Sequence, residues 1–353
     1  LSGSIDVTKA LALNVNADSS TTHQGQTHGH KGFLLSVSAA RNLIADNPAN
    51  ADVLYPFLIG DRLLGSIPPL PDRWVIDFRS KDVISAETYT VPFRQVEKAV
   101  LPTREEAAVE EAKRNEAALS DNPKARVNHH HRNFLRHWWQ LSYARGELME
   151  QLHSLRRYIV CVRVTKRPVF EFISTSIHPN DSLQVFTLDD DYSFGILQSS
   201  THWEWFTERC STLTERFRYT SNTVYDSFPW PQSPTPAQTR GVAQAAVALR
   251  TIRRKLAIDN RISLRQLYRG LERPGDNPLK AAHSRLDDAV RAAYGMKKRD
   301  TPIEFLFELN QALAAQEREG QQPVGPGLPP CILDSSEFIG DDSVPWSENQ
   351  RSA

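Results

Sequence analysis

The chain has 353 residues, room for two domains, and 40% of them are hydrophobic, enough for ordinary cores. Lys plus Arg and Asp plus Glu total 42 each, so net charge neither marks nor excludes a nucleic-acid partner, and only local patches speak to it. Cys161, Cys210 and Cys331 are far apart with no Cys-x-x-Cys pair, which argues against a zinc ribbon or a disulfide framework and fits a reducing, cytoplasmic setting; no apolar run approaches the about 18 residues of a membrane-crossing helix, and no signal peptide follows Leu1.

Residues 1–20 read as the remnant of a preceding domain or a linker. His23, His28 and His30 lie in a glycine-rich loop with no carboxylate or cysteine at ligand spacing, so tight backbone turning accounts for the loop and no metal is expected. A helix is predicted from Ser38 to Asp46, stopped by Asn47-Pro48. Arg73–Phe78 alternates as a strand, and Pro92–Ala118 is helical and charge-rich. From Lys124 to His137 the chain is basic and aromatic, which suits either a solvated helix start or contact with phosphates. A helix over Tyr143–Leu155 precedes strands at Tyr158–Val164, Val169–Ile173 and Leu183–Thr187. Arg163, Lys166 and Arg167 cluster at their first turn, and Ser176, His178 and Asn180 sit on a connecting loop open to a ligand. Trp203, Trp205 and Phe206, at near-helical spacing after Phe194, read as core.

Glu215 to Pro231 divides the chain. It begins with Glu215, Arg216 and Arg218 and ends with Phe228, Pro229, Trp230 and Pro231, an extended, stiff segment with two large apolar anchors. Taken by itself it is a domain-closing turn with surface charges. A Pro-rich linker over 232–240 leads to a helical part over 241–316. There Ser263 caps a helix, and Arg250, Arg253, Arg254 and Lys255 complement a helix dipole without needing a ligand. Leu286, Val290 and Tyr294 share a packing face, and His283 and Asp287 form a capping or structural pair. Residues 317–353, rich in Gly, Pro, Ser and Asp, are expected to be disordered.

Several of these stretches resemble the MmeI-type family of DNA methyltransferases and restriction-modification enzymes. They are Gln24-Gly25 followed by Lys31-Gly32-Phe33-Leu34, Val53–Arg62, Trp74-Val75-Ile76-Asp77-Phe78, Arg218-Tyr219-Thr220, Tyr225–Pro231, the His283–Gly295 helix and Phe305–Asn310. The resemblance implies an α+β target recognition domain over 21–231 followed by an all-α helical C-terminal domain. It also implies double-stranded DNA as partner, with bases read by Glu215, Arg216 and Arg218 and more weakly by Thr214. Arg132, Lys166 and Arg167 are the candidates for the DNA backbone. An adenine-N6 methyltransferase needs an Asn/Asp-Pro-Pro-aromatic motif and a glycine-rich loop for S-adenosyl-L-methionine, and this sequence has neither. The chain is therefore expected to be the recognition portion of a restriction-modification or phage-defence enzyme and inactive alone. S-adenosyl-L-methionine would belong to a methyltransferase domain of the same or a separate chain. The alternative is a stand-alone specificity subunit or interaction module. An in-frame Asn-Pro-Pro-Tyr motif upstream would favour the first, a start codon just before Leu1 the second.

Overall fold

The computed structural model describes residues 6–210, 217–272 and 274–345. In chain order the first half runs β1 (Thr22–Gln24), β2 (Leu34–Ser36), α1 (Val37–Asp46), β3 (Leu54–Leu58), β4 (Arg73–Ile76), α2 (Thr90–Asp121), α3 (His130–Arg136) and α4 (Gly146–His153). Strands then dominate: β5 (Arg157–Val162), β6 (Val164–Thr165), β7 (Glu171–Ser174), β8 (His178–Pro179) and β9 (Leu183–Phe186). They are followed by α5 (Asp191–Gln198), α6 (Ser200–Arg209) and β10 (Phe217–Arg218). The rest is helical: α7 (Pro236–Asp259), α8 (Leu264–Gly270), α9 (Pro278–Tyr294) and α10 (Pro302–Arg318). The architecture is α+β followed by helices.

The strands form a sheet ordered β1-β9-β5-β7, a second ordered β2-β4-β3-β8, and the two-stranded ladder β10-β6. The apolar run Tyr158–Cys161 is continuous because β5 is central and covered on both faces. Ile159 and Cys161 meet Phe172, Phe186 and Phe194 on one side, while Tyr158 and Val160 meet Leu148, Leu152 and Val185 on the other. The second sheet has its own core, where Phe33, Val75 and Phe78 pack on Phe93, Val96 and Val100 of α2.

Local chemistry sets the helix ends. Ser36 accepts from Ala39 N at the start of α1, and Ser199 accepts from His202 N. That second cap splits the predicted Phe194–Phe206 helical stretch into α5 and α6. The Pro-rich linker ends earlier than expected. Thr235 and Gln238 form a reciprocal capping box with Pro236 at the first helical position, so α7 begins there. The helix expected from Tyr143 starts at Gly146 instead, because Tyr143 is paired to Thr27 in an antiparallel bridge.

Two expectations about the ends of the chain need correction. Residues 6–20 are not a loose remnant: Leu13 is buried with Leu313 and Ala314, and Asn16 Nδ2 donates to the carbonyls of Tyr225, Asp226 and Phe228. Described residues beyond Gln316 are laid down on the fold. Val344 is fully buried, donates to Phe172 O at 2.8 Å and accepts from Ser174 N at 2.8 Å. Composition concealed this because a few anchors, Val344 and Asp342 among them, hold a polar segment in place. One hydrophobic cluster spans the Pro-rich segment, joining Phe172, Phe186 and Phe194 to Val242, Leu249 and Leu286.

Candidate nucleic-acid interface

A basic rim forms where β6, β10 and the loops around β1 and β9 converge. Arg218 lies opposite Val164 in the β10-β6 ladder. Its side chain is exposed, but its backbone is held: Cys210 Sγ donates to Arg218 O at 3.1 Å, and Tyr219 N donates to Arg163 O at 2.7 Å. Tyr219 itself is fully buried, stacked on Phe206, with its hydroxyl 3.0 Å from His202 Nε2. A rigid anchor thus carries an outward guanidinium. Arg163 Nη1 donates to Asp181 O at 3.2 Å, and Gln24 Nε2 donates to the same carbonyl at 3.3 Å. Arg145 Nη2 donates back to Gln24 Oε1 at 3.3 Å, and its guanidinium lies 5.3 Å over the exposed ring of Tyr143. Burial, then the nearby charge of Arg218, holds the Arg163 guanidinium below its ordinary pKa; Arg145 adds to this and Asp181 opposes it.

The floor beneath the rim is a buried polar network. A Cβ on Gly25 would sit 2.2 Å from Asn180 O, so the Gln-Gly step is needed because the Asn180 backbone runs past it. Gln26 Nε2 donates to Asp77 Oδ2 at 2.8 Å, and Gln26 Oε1 faces His178 Nδ1 at 3.0 Å. An amide oxygen only accepts, so Nδ1 carries the proton. Burial pulls His178 below its ordinary pKa despite Asp77, which favours the neutral ring. Burial pushes the Asp77 carboxyl up, and hydrogen bonds from His178 and Gln26 outweigh it, so the group stays ionised. Tyr55 stacks on His178 with centroids 3.9 Å apart. The Phe-Pro-Trp-Pro turn is pinned from the helical half, with Tyr294 Oη donating to Pro229 O at 2.8 Å and Asn310 Nδ2 to Ser227 O at 2.8 Å.

Residues 154–232 match the family described as "MmeI, target recognition domain". They hold β5 to β10, including the β10-β6 ladder, and the Phe-Pro-Trp-Pro turn. This stretch is an MmeI-type target recognition domain. The fold is similar to the solved Type IIL restriction-modification enzyme MmeI in complex with DNA, with a TM-score of 0.60 and 21% identity over 84% of this chain. The chain spans 36% of the length of that enzyme. No curated protein matches the chain.

Within the target recognition domain, Arg218 is on the rim, while Thr214, Glu215 and Arg216 lie outside the described residues. Lys166 is exposed at the β6 turn. Arg167 is half-buried, its guanidinium 4.6 Å over Trp203 and 5.5 Å over Tyr268 of α8, so it stacks between the two halves of the chain. Arg132 is elsewhere, on α3 in an apolar groove against α2, where its backbone N–H donates to Glu111 Oε2 at 3.0 Å. His178 and Asn180, read from sequence as open to a ligand, are buried; only Ser176 on that loop is exposed. Among the described residues no group of His, Cys, Asp and Glu is arranged to hold a metal. His30 instead caps the Lys31–Phe33 turn, accepting from Gly32 N at 3.0 Å. His283 and Asp287 do not pair: His283 Nε2 faces Tyr268 Oη at 3.1 Å, and Asp287 Oδ1 accepts from Ser200 N at 2.7 Å. Sequence reasoning missed Arg145 and Gln24 on the rim. The Gln24-Gly25 step was the signal for Gln24, and no local pattern marked Arg145.

Proposed function

We propose that this chain reads a DNA sequence on behalf of a restriction-modification enzyme. The observation that carries this reading is the MmeI-type target recognition domain over 154–232, whose β10-β6 ladder presents Arg218, with Arg163 beside it, on a basic rim. The solved MmeI was captured with DNA, and its fold extends over most of this chain. An exposed guanidinium can donate to guanine O6 and N7 together, whereas Glu215 is suited to accept from a cytosine amine. In this reading Glu215, Arg216 and Arg218 specify bases, with Thr214 in support, and the parent protein methylates adenine N6 with S-adenosyl-L-methionine held by a domain outside this chain. The chain itself would be the part that selects the site.

Selection of bound duplexes from a random pool tests the reading. The wild-type chain is expected to enrich one short sequence. Arg218→Ala should cost about 1–3 kcal/mol on that sequence and little on scrambled duplexes. Recovery of a pool no different from the input would overturn sequence recognition.

A further inference from the structure

We propose that Arg145 and Arg163 close together on one phosphate of the DNA backbone, next to the base contacted by Arg218, with Gln24 and Asp181 setting their separation. This rests on the recognition reading above and adds to it a gripping site outside the residues matched by the family at Arg145. The geometry comes first. Gln24 is a bridge: it accepts from Arg145 and donates to the Asp181 carbonyl, which also accepts from Arg163. The two guanidinium groups are therefore joined through the Gln24 amide and the Asp181 carbonyl. Gln24 is fixed by the β1-β9 ladder, opposite Gln184, and Arg163 by its backbone N–H, which donates to Ser182 O at 3.0 Å.

The backbone of Arg145 is the second observation. It is left-handed, with φ 54° and ψ 52°, a conformation that a non-glycine side chain adopts seldom and that tends to mark a working position. Here it turns the chain from the Tyr143–Thr27 bridge into α4 and sends the guanidinium back over the Tyr143 ring towards Gln24. Stacking on an aromatic face orients a guanidinium while leaving its edge for an acceptor.

Charge is the third. The guanidinium groups of Arg218 and Arg145 both act on that of Arg163, and the carboxylate that acts on it is that of Asp181, which also accepts from Thr27 Oγ1 at 3.0 Å. Arg145 and Arg163 each make one side-chain hydrogen bond among the described residues, which leaves further Nη donors of each guanidinium uncommitted, while the Nε of each is buried. Like charges gathered with donors to spare suit an anion with several acceptor oxygens. A phosphodiester offers these at the geometry of a guanidinium fork. Neither side chain needs a particular base, so the grip is independent of sequence.

The experiment measures binding of the full chain to short duplexes of several unrelated sequences, in salt from about 50 mM to about 200 mM. The variants are Arg145→Ala, Arg163→Ala, the double alanine variant and the lysine replacements. Each alanine variant is expected to weaken binding about tenfold or more at low salt, by the same factor on every duplex. The double variant should lower the slope of log affinity against log salt by about one. Arg145→Lys and Arg163→Lys should recover most of that slope, since they keep the charge and lose only the fork. Melting temperatures should stay near wild type because both side chains are half-exposed, and the lysine variants keep the test valid if an alanine variant is unstable. Alanine variants that bind with unchanged affinity and slope would overturn the grip and leave the recognition reading standing. A loss confined to one sequence would reassign both residues to base reading. Failure of the wild-type chain to bind any duplex would remove the recognition reading and this inference together.

Discussion

Outside the rim, Glu171 holds two arginines of the helical half. It is fully buried on β7, and its carboxylate meets Arg253 Nη2 at 2.9 Å and Arg254 Nη2 at 3.3 Å, both on α7. Removing one partner of a buried pair leaves the other charged and unsolvated, which costs about 3–5 kcal/mol. Glu171→Gln is therefore expected to lower the unfolding free energy by about that amount, read from urea denaturation. A loss within experimental scatter would mean that water reaches these arginines. The sequence did not show this. Arg250, Arg253 and Arg254 have the spacing of a solvated helix face, and their partners Asp191, Glu171 and Asp342 are distant in sequence. By contrast Phe228, Trp230 and Tyr294 were legible as anchors, because large apolar side chains beside prolines or on a helical stripe have few other uses.

Among the elements, most of the helices and strands were legible because each rests on a local signal, either a cap or an alternation. Errors fell where tertiary contacts overrode local preference, as at Tyr143, drawn into a bridge, and at His178, buried by Tyr55 and Gln26. The rim was only half legible. Arg218 stood out in its motif, but Arg145 meets Gln24 from 121 positions away, and no spacing reports that. The packing of α5 on α7 offers a test in which two effects oppose each other. Gly195 lies inside α5, and a Cβ there would come 2.6 Å from Val242 Cγ1 and 3.3 Å from Ala246 Cβ. Helix propensity alone favours Gly195→Ala by about 1 kcal/mol, while overpacking a dense core costs about 1–3 kcal/mol. Val242 is β-branched and has little freedom to swing away. The variant is expected to be destabilised, with a lower melting temperature. A higher melting temperature would mean that α7 moves aside at little cost.

At the scale of the molecule, the question is whether the chain unfolds as one body or two. A division at Pro231–Pro236 predicts two transitions, one for each half. The packing argues for one. Sheet residues and helical-half residues share a hydrophobic cluster, and the C-terminal segment ties them again from outside. Asp342 Oδ2 accepts from Arg250 Nε at 2.9 Å and lies 3.3 Å from Arg254 Nη1, while Oδ1 pairs with Arg157 on β5. One carboxylate thus links β5 to α7, and Val344 beyond it hydrogen-bonds along β7. Burial pushes the Asp342 carboxyl up, but Arg250, Arg254 and Arg157 outweigh this and hold it below the usual range. Its contribution is therefore present above the ordinary carboxylate pKa and is lost only as pH falls through the lowered one. Ending the chain after Asp334 removes Asp342 and Val344 together and leaves three arginines short of a partner. The truncated chain is expected to lose about 3–5 kcal/mol, in a single transition seen alike by tryptophan fluorescence and by circular dichroism. Asp342→Asn should lose less, since it keeps Val344 in place and some of the hydrogen bonds. Two separated transitions in the full-length chain would show that the halves fold independently and that the C-terminal segment is only a covering.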